Sequence, residues 1–350
     1  MNKTIKYLLI GLVTLSMGFS QSLEESLESM AKANAQGYLG PMVTAFGMGI
    51  NSGTFHNAKP HSLLGFDLKL GVSMTSITDA GKTFEFALPD HDIPVTVGSY
   101  DLLLNPNDIY SSDRTAPTMF GEKEGTEIGV NSAAAEDEIY TQLMSESGLT
   151  RAELEIALGS DITSAVNGIE PLTTPGGFDL PAVPMAVPQF SLGLPMEIEL
   201  TLRGMPAQDL GDLGEFTFFG FGGKIGLNQF VPIPNLVLPR VAVGYYITNV
   251  GVGDILTMNN SIATLQVSKS IPFLTVYGGF GLESSSLEVD YTYTDELTGE
   301  TLPIKFSMDG DNSFRTTVGA RLKLAILSIN ADYNIGEFNT VNVGVGLTLR

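Results

Sequence analysis

The C-terminal stretch Val341-Asn342-Val343-Gly344-Val345-Gly346-Leu347-Thr348-Leu349-Arg350 alternates without a break. Valine and leucine take one parity, and Asn342, Gly344, Gly346, Thr348 and Arg350 take the other. Successive side chains of a strand point to opposite faces, so one face here is aliphatic and the other polar or small. The length also fits a tilted strand crossing the apolar core of a bilayer, which takes about 9 to 11 residues.

Alternation alone does not separate a membrane barrel from a water-soluble β-sandwich; what fills the second parity does. In Arg315-Thr316-Thr317-Val318-Gly319-Ala320-Arg321-Leu322-Lys323-Leu324 three cations share one parity, while Leu322 and Leu324 lie on the opposite one. Gly, Thr, Ser, Asn, Lys and Arg recur at such positions, which predicts a wet lumen and an oily exterior. The sandwich remains the competing reading, because it too would show polar residues on one face to water.

The same pattern continues outward from the C-terminus through 190–203, 216–227, 237–248, 262–269, 273–289, 304–308, 314–324, 327–335 and 341–349. Before the interruption it is visible in 42–50, 64–76 and 83–88, and more weakly in 94–100. In Phe66-Asp67-Leu68-Lys69-Leu70-Gly71-Val72-Ser73-Met74 every second residue is apolar. The expected fold is therefore an all-β, antiparallel transmembrane barrel of about 12 strands, within 10 to 14, and an even number brings its first and last strand ends to one side.

Residues 102–187 break the pattern with Asn, Asp and a Pro-rich run through Pro171, Pro175, Pro181, Pro184 and Pro188. Thr150 followed by Glu153 fits a capping box ahead of Leu154, Ile156 and Ala157, so a helix is expected over 150–169. A structureless connection this long is improbable in a compact domain, so 102–187 is expected to be a folded insert, either a plug in the barrel mouth or a cap outside it. Counting twelve strands back from Arg350 places it on the periplasmic side, which favours the plug.

The N-terminus carries an export signature. Met1-Asn2-Lys3-Thr4-Ile5-Lys6 is a short basic region, the stretch from Tyr7 to Leu15 is an apolar core, and Gly18 and Ser20 are small residues where a signal peptidase reads. A signal peptide of 1–20, cleaved before Gln21, is expected, since the apolar core is shorter than the ~20 residues of a spanning helix. Leu23, Leu27, Met30 and Ala31 recur at helical spacing among Glu24, Glu25 and Glu28, so 21–40 is expected to hold a short amphipathic helix. First barrel strands over 41–101, the insert over 102–187 and the remaining strands over 188–350 complete the expected organisation.

Composition excludes several functions. With no cysteine there is no disulfide framework, thiolate metal site or lipoprotein anchor. A formal charge of −21 argues against nucleic acid, whose phosphates need a concentrated basic surface. The three histidines, His56, His61 and His91, fall in expected loops without the converging ligands of a metal site. No G-x-S-x-G elbow appears, and Ser284-Ser285-Ser286 reads as a polar strand edge. Asp309-Gly310-Asp311-Asn312 lacks the later ligands of a calcium loop and reads as a tight hairpin turn with Gly310 at positive φ. The expectation is no enzyme, no metal and no cofactor.

Several short strings in fixed order carry a family resemblance: Ala116-Pro117-Thr118-Met119-Phe120-Gly121, Pro188-Gln189-Phe190-Ser191-Leu192-Gly193-Leu194-Pro195, Ser268-Lys269-Ser270, Tyr277-Gly278-Gly279 and Asn330-Ala331-Asp332-Tyr333-Asn334. With them the stretch 42–350 resembles an uncharacterised family of exported barrels of Bacteroidetes-type bacteria, a domain of unknown function. More distantly, an N-terminal helix, a barrel and an internal insert are similar to the long-chain fatty-acid transporters, fourteen-stranded barrels with a hatch. Asn342-x-Gly344-x-x-Leu347-x-Leu349 resembles the C-terminal signal read by the barrel-assembly machinery, except that Arg350 stands where a terminal Phe is usual.

These readings predict a protein of the bacterial outer membrane whose partners are outer-membrane lipid, the assembly machinery and an unidentified small solute. Passive or facilitated passage of that solute is the leading expectation. An apolar lumen near the insert implies a hydrophobic solute, whereas a lumen lined by Arg203, Lys224, Arg315, Arg321 and Lys323 implies anions or polar molecules. The alternative is a non-conducting structural or interaction barrel of the cell envelope.

Overall fold

The computed structural model describes residues 32–89, 91–209, 214–230, 238–253, 255–294 and 301–349. The expected signal peptide and most of the expected 21–40 helix, including Leu23, Leu27, Met30 and Ala31, lie outside these residues. The described chain forms two compact units, one of 39–79 and 180–349 and the other of 32–38 and 80–179.

The first unit is a closed antiparallel barrel of ten strands plus one extra strand. The ring is made by β1 (Phe66–Ser76), β8 (Ala182–Leu194), β9 (Ile198–Asp209), β10 (Glu215–Gly226), β11 (Arg240–Val252), β12 (Leu256–Ser270), β13 (Leu274–Thr294), β15 (Phe314–Leu324), β16 (Leu327–Ile335) and β17 (Thr340–Leu349). Each strand pairs with its neighbour in sequence, apart from the β1–β8 step across the insert, the β13–β15 step and the joining of first and last strands. That joining pairs β1 with β17 from Phe66↔Leu349 through Gly71↔Gly344 to Thr75↔Thr340, so both strands have an end on one side, as an even number requires. The ladder between β12 and β13, from Leu256↔Val289 to Ser270↔Thr275, completes the ring and leaves it no open edge. The extra strand β14 (Thr301–Asp309) pairs with the far half of β13, from Ser286↔Asp309 to Thr294↔Thr301.

Twelve strands are thus replaced by ten and one, and the difference comes from the N-terminal half. The expected strand 42–50 lies inside helix α1 (Lys32–Asn51), which continues through Pro41. Val43, Ala45, Met48 and Ile50 are buried, and so are Thr44 and Gly49, so this part of the helix presents no exposed face and its composition keeps no 3.6-residue period. Of 83–88, only β2 (Thr83–Glu85) is a strand, and it pairs with β5 (Thr115–Pro117) outside the barrel. The weak run 94–100 becomes a hairpin of β3 (Ile93–Val97) and β4 (Tyr100–Leu104). Conversely, β8 begins at Ala182 inside the expected insert and runs through Pro184 and Pro188. Prolines are tolerated there because β9 pairs with β8 only from Gln189 onward, leaving the first half of β8 without a partner on that side.

The register also moves the insert. Because β1 runs from Phe66, beside Leu349, to Ser76, the connection 77–181 leaves the barrel at the end opposite Leu349, not at the C-terminal end expected from twelve strands.

The wall is polar inward and apolar outward. On β17, Val341, Val343, Val345, Leu347 and Leu349 are all exposed while Asn342 and Thr348 are buried. The same split places Leu68, Leu70, Val72 and Met74 outside and Asp67, Lys69 and Ser73 inside β1. A water-soluble sandwich would show the reverse, which removes the competing reading. Inward glycines make room for large neighbours: a Cβ at Gly319 would overlap the ring of Tyr277 on the adjacent strand.

The second unit is an ordinary globule. Helices α2 (Pro106–Ile109), α3 (Ser132–Ser147) and α4 (Arg151–Asn167) accompany the two sheets above and a third made by β6 (Glu127–Ile128) and β7 (Leu172–Thr173). Ile109, Ile128, Ile139, Leu143, Leu154 and Ile162 form its dry core. Asn131 caps α3 by accepting the Ala134 N–H at 3.2 Å, and Gly148 ends it in the left-handed region. The expected helix after Thr150 is α4: the Glu153 carboxylate accepts the Thr150 N–H at 2.9 Å and its hydroxyl at 2.7 Å.

Candidate functional site in the barrel interior

Among the described residues, the inward side chains meet residues 44–61, the end of α1 and the segment that follows it. Helix α1 approaches closely because of Gly47, where a Cβ would overlap the Ser285 hydroxyl of β13. Behind it, Gly53 adopts φ 65° against the side chain of Asn342, a conformation that suits glycine.

Four of the five expected lumen cations are fully inside: Arg203, Lys224, Arg315 and Arg321 are buried. Lys323 has the inward parity but sits half-buried near the end of β15. Three of the four grip backbone carbonyls of 44–61. Arg315 donates from Nη2 to the Met48 carbonyl at 2.8 Å and from Nη1 to the Ser52 hydroxyl at 2.9 Å. Arg203 donates from Nη2 to the Ser52 carbonyl at 2.8 Å, and Lys224 from Nζ to the Asn57 carbonyl at 2.7 Å. Lys69, which the sequence analysis did not select, donates to the Gly53 carbonyl. Met48 lies in the last turn of α1, whose carbonyls lack an intrahelical partner and carry the negative dipole end, so a cation complements it; the Ser52, Gly53 and Asn57 carbonyls lie just beyond the helix.

Carboxylates balance this charge. Glu283, whose side chain is 0% exposed, lies 2.9 Å from Arg315 Nη2 and accepts from Asn51 Nδ2 at 3.1 Å. Glu199 joins Lys224 Nζ at 3.1 Å to His61, accepting its N–H at 2.9 Å with the ring Nδ1 2.7 Å away. His56 Nε2 stands 3.3 Å from Asp67 Oδ2. Arg321 instead works within the wall: its Nη2 donates to the Thr348 hydroxyl at 2.6 Å, which donates to Asp67 Oδ1 at 2.6 Å.

Two of the three histidines are therefore interior groups bound to carboxylates and not solvated loop residues; only His91 is exposed, in the second unit. Ser285 faces inward against α1, while Ser284 faces out. The expected turn at Asp309-Gly310-Asp311-Asn312 is a break between β14 and β15. Gly310 is absent from the positive-φ residues, and its place is fixed by contact: a Cβ would stand 3.2 Å from the backbone of Thr44. Among the described residues no group of three or more His, Cys, Asp or Glu side chains is placed to hold a metal ion. Of the terminal assembly pattern, Asn342 and Gly344 face inward and Leu347 and Leu349 outward.

A cavity of about 10 Å3 lies beside Asn51, Gly53, Thr54, Ile262, Arg315 and Thr317, space for one water molecule.

A closed antiparallel barrel with an apolar outer wall and a polar interior to which residues 44–61 of its own chain are bound is the class that this geometry defines. The chain belongs to the family of unknown function DUF6588, whose model matches residues 1–349. No curated protein matches it in sequence. Among solved structures it is similar to Ail, the attachment invasion locus protein of Yersinia pestis, in complex with the heparin analogue sucrose octasulfate, at 8% identity over 82% of this chain and 99% of that one, TM-score 0.20. It is also similar to a loop L8 deletion mutant of OmpT, an outer membrane protein of Vibrio cholerae, at 14% identity over 81% and 99%, TM-score 0.25. A third is Salmonella typhi OmpF in complex with daunomycin, at 9% identity over 81% and 97%, TM-score 0.21.

Proposed function

We propose that this protein is a closed outer-membrane barrel, exported by a signal peptide of 1–20, that anchors the folded insert 80–179 at the cell envelope and does not conduct solutes in its resting state. The observation that carries this reading is the use of Arg203, Lys224 and Arg315 as clamps on the backbone of 44–61. Cations available to a passing anion would point into free space; these are engaged by the chain itself. Residues 44–61 take the part of a plug. The apolar outer wall supports the membrane reading, since a closed barrel satisfies every ladder hydrogen bond within lipid. Leu347 and Leu349 on the outer face and Asn342 and Gly344 on the inner one suit the terminal strand for the assembly machinery.

Passage of a small solute is the second reading, and one feature favours it: 44–61 are held by polar contacts, which water can replace if the segment withdraws. Planar-bilayer conductance of the refolded mature protein decides between them, beside one variant lacking 21–61 and one lacking 80–179. The anchor reading expects no steps from the intact chain or from the insert deletion, and steps once 21–61 are removed. Steady conductance from the intact chain would overturn it and restore the diffusion pore.

A further inference from the structure

We infer that the chain is threaded through its own barrel, so that residues 44–61 cross the membrane inside the lumen and helix α1 leaves on the side of the insert connection, opposite the C-terminus. The membrane orientation in this inference rests on the outer-membrane reading above; the threading itself rests on contacts.

Those contacts run in order from one barrel end to the other. At the end where 77–181 leaves, Thr44 Oγ1 accepts the Asp311 N–H at 2.9 Å, and Met48 Sδ accepts the Phe338 N–H at 3.2 Å in the β16–β17 turn. Midway, Arg315 and Arg203 hold Met48 and Ser52 from opposite walls. Further on, the Ala58 N–H donates to Ser268 Oγ at 3.0 Å near the end of β12. At the C-terminal end, His61 is fixed to Glu199, and the Leu64 N–H donates to the Gly193 carbonyl at 3.0 Å before the chain turns into β1. The contacts come from β1, β8, β9, β10, β12, β13, β15 and β17, so the segment passes through the ring and not along its outside.

Turn lengths give the orientation. At the C-terminal end β8 joins β9, β12 joins β13 and β15 joins β16 across short gaps, Leu194 to Ile198, Ser270 to Leu274 and Leu324 to Leu327, and the longest gap there runs from Gly226 to Arg240. The opposite end carries the connection 77–181 and the β13–β14 ribbon, which continues past the ring. Short turns face the periplasm and long connections face outward in barrels of this class.

The absence of cysteine makes the test direct. Single variants Gln36→Cys on α1, Thr96→Cys in the insert and Met196→Cys in the β8–β9 turn are exposed positions for a membrane-impermeant maleimide on intact cells. Threading expects labelling of Gln36→Cys and Thr96→Cys in intact cells, and of Met196→Cys only after the envelope is permeabilised. Labelling of Thr96→Cys with Gln36→Cys protected until permeabilisation overturns it, as does labelling of Met196→Cys alone in intact cells. A protein that does not fractionate with the outer membrane fails the earlier reading instead. In that case two designed disulfides in purified protein still decide the threading: Thr44→Cys with Asp311→Cys at one end, and Asn57→Cys with Ser268→Cys toward the other. Both must close in one folded molecule, and failure of either to close overturns the path.

Discussion

The barrel and the insert bury opposite things. In the insert, Ile139, Leu143 and Leu154 are fully buried while Asp137, Glu146 and Glu153 are exposed. In the barrel, Arg315 is among the largest fully buried side chains and Glu283 stands beside it, while Val343, Leu347 and Phe221 are exposed. The insert follows the rule for a globule in water, where apolar area leaves the solvent at about 25 cal/mol per Å2. The barrel obeys the same physics with the oily phase outside, so its wall needs no dry core and its interior needs hydrogen-bond partners. Burial in this chain therefore reports which solvent each face meets, and the clamps on 44–61 are the barrel's counterpart of the insert's apolar core.

The largest expected break in this comparison comes from Glu283→Ala. It leaves the Arg315 guanidinium enclosed with its charge uncompensated, and removing one partner of a buried pair costs about 3 to 5 kcal/mol. The urea midpoint of the refolded barrel should fall accordingly, whereas the double change Glu283→Leu with Arg315→Met should recover much of the loss. Equal loss in the single and double variants would mean that the pair is not what holds the interior. A smaller effect separates two residues that both look misplaced in water: Val72, 43% exposed at the middle of β1, and Ile156, 90% exposed on α4. Val72→Arg is expected to cost about 2 to 4 kcal/mol, because it puts a charge at the bilayer midplane. Ile156→Arg should stay within about 0.5 kcal/mol, because that face already meets water. Refolding into vesicles followed by chemical denaturation measures both, and equal effects would remove the solvent distinction between the units.

The sequence made the barrel wall legible where both parities speak. β15, β16, β17 and most of β1 can be read directly, because lipid on one face and polar groups on the other produce strict alternation. Helix α1 was illegible over 42–50 for the complementary reason: surrounded by strands, it has no solvent face to impose a helical period, and Phe46, Met48 and Ile50 alternate with Gly47 and Gly49 by chance. Pro184 and Pro188 hid the first half of β8, since a half-paired strand looks like a loop in sequence. For the site, parity alone selected Arg203, Lys224, Arg315 and Arg321, and it selected Lys323 although the strand end leaves that residue half-exposed. Their partners could not be read, because the Met48, Ser52 and Asn57 carbonyls belong to no particular residue type and lie 151 to 267 positions away in the chain. His56 and His61 carried no such signal, because a polar loop such as 51–62 is equally at home in water.

The smallest expected effect lies in the insert, where charge sits on the surface and water weakens it. Glu153 at the start of α4 has its carboxyl pKa held below the ordinary 4.5, first by the backbone N–H of Thr150 and then by its hydroxyl. A carboxyl with a lowered folded pKa stabilises the fold above its unfolded value and loses that contribution as pH falls through the folded one. The barrel interior should not share this dependence on Glu153, because its clamps lie in the other unit. Hydrogen exchange of the first turn of α4 in the full-length protein, compared with Glu153→Gln at each pH, reads the effect free of the pH dependence of exchange itself. Wild type is expected to be better protected than the variant at neutral pH, with the difference closing once the pH drops from 4.5 through the lower folded value. A difference that persists below that range would assign the cap to the shape of the side chain and not to its charge.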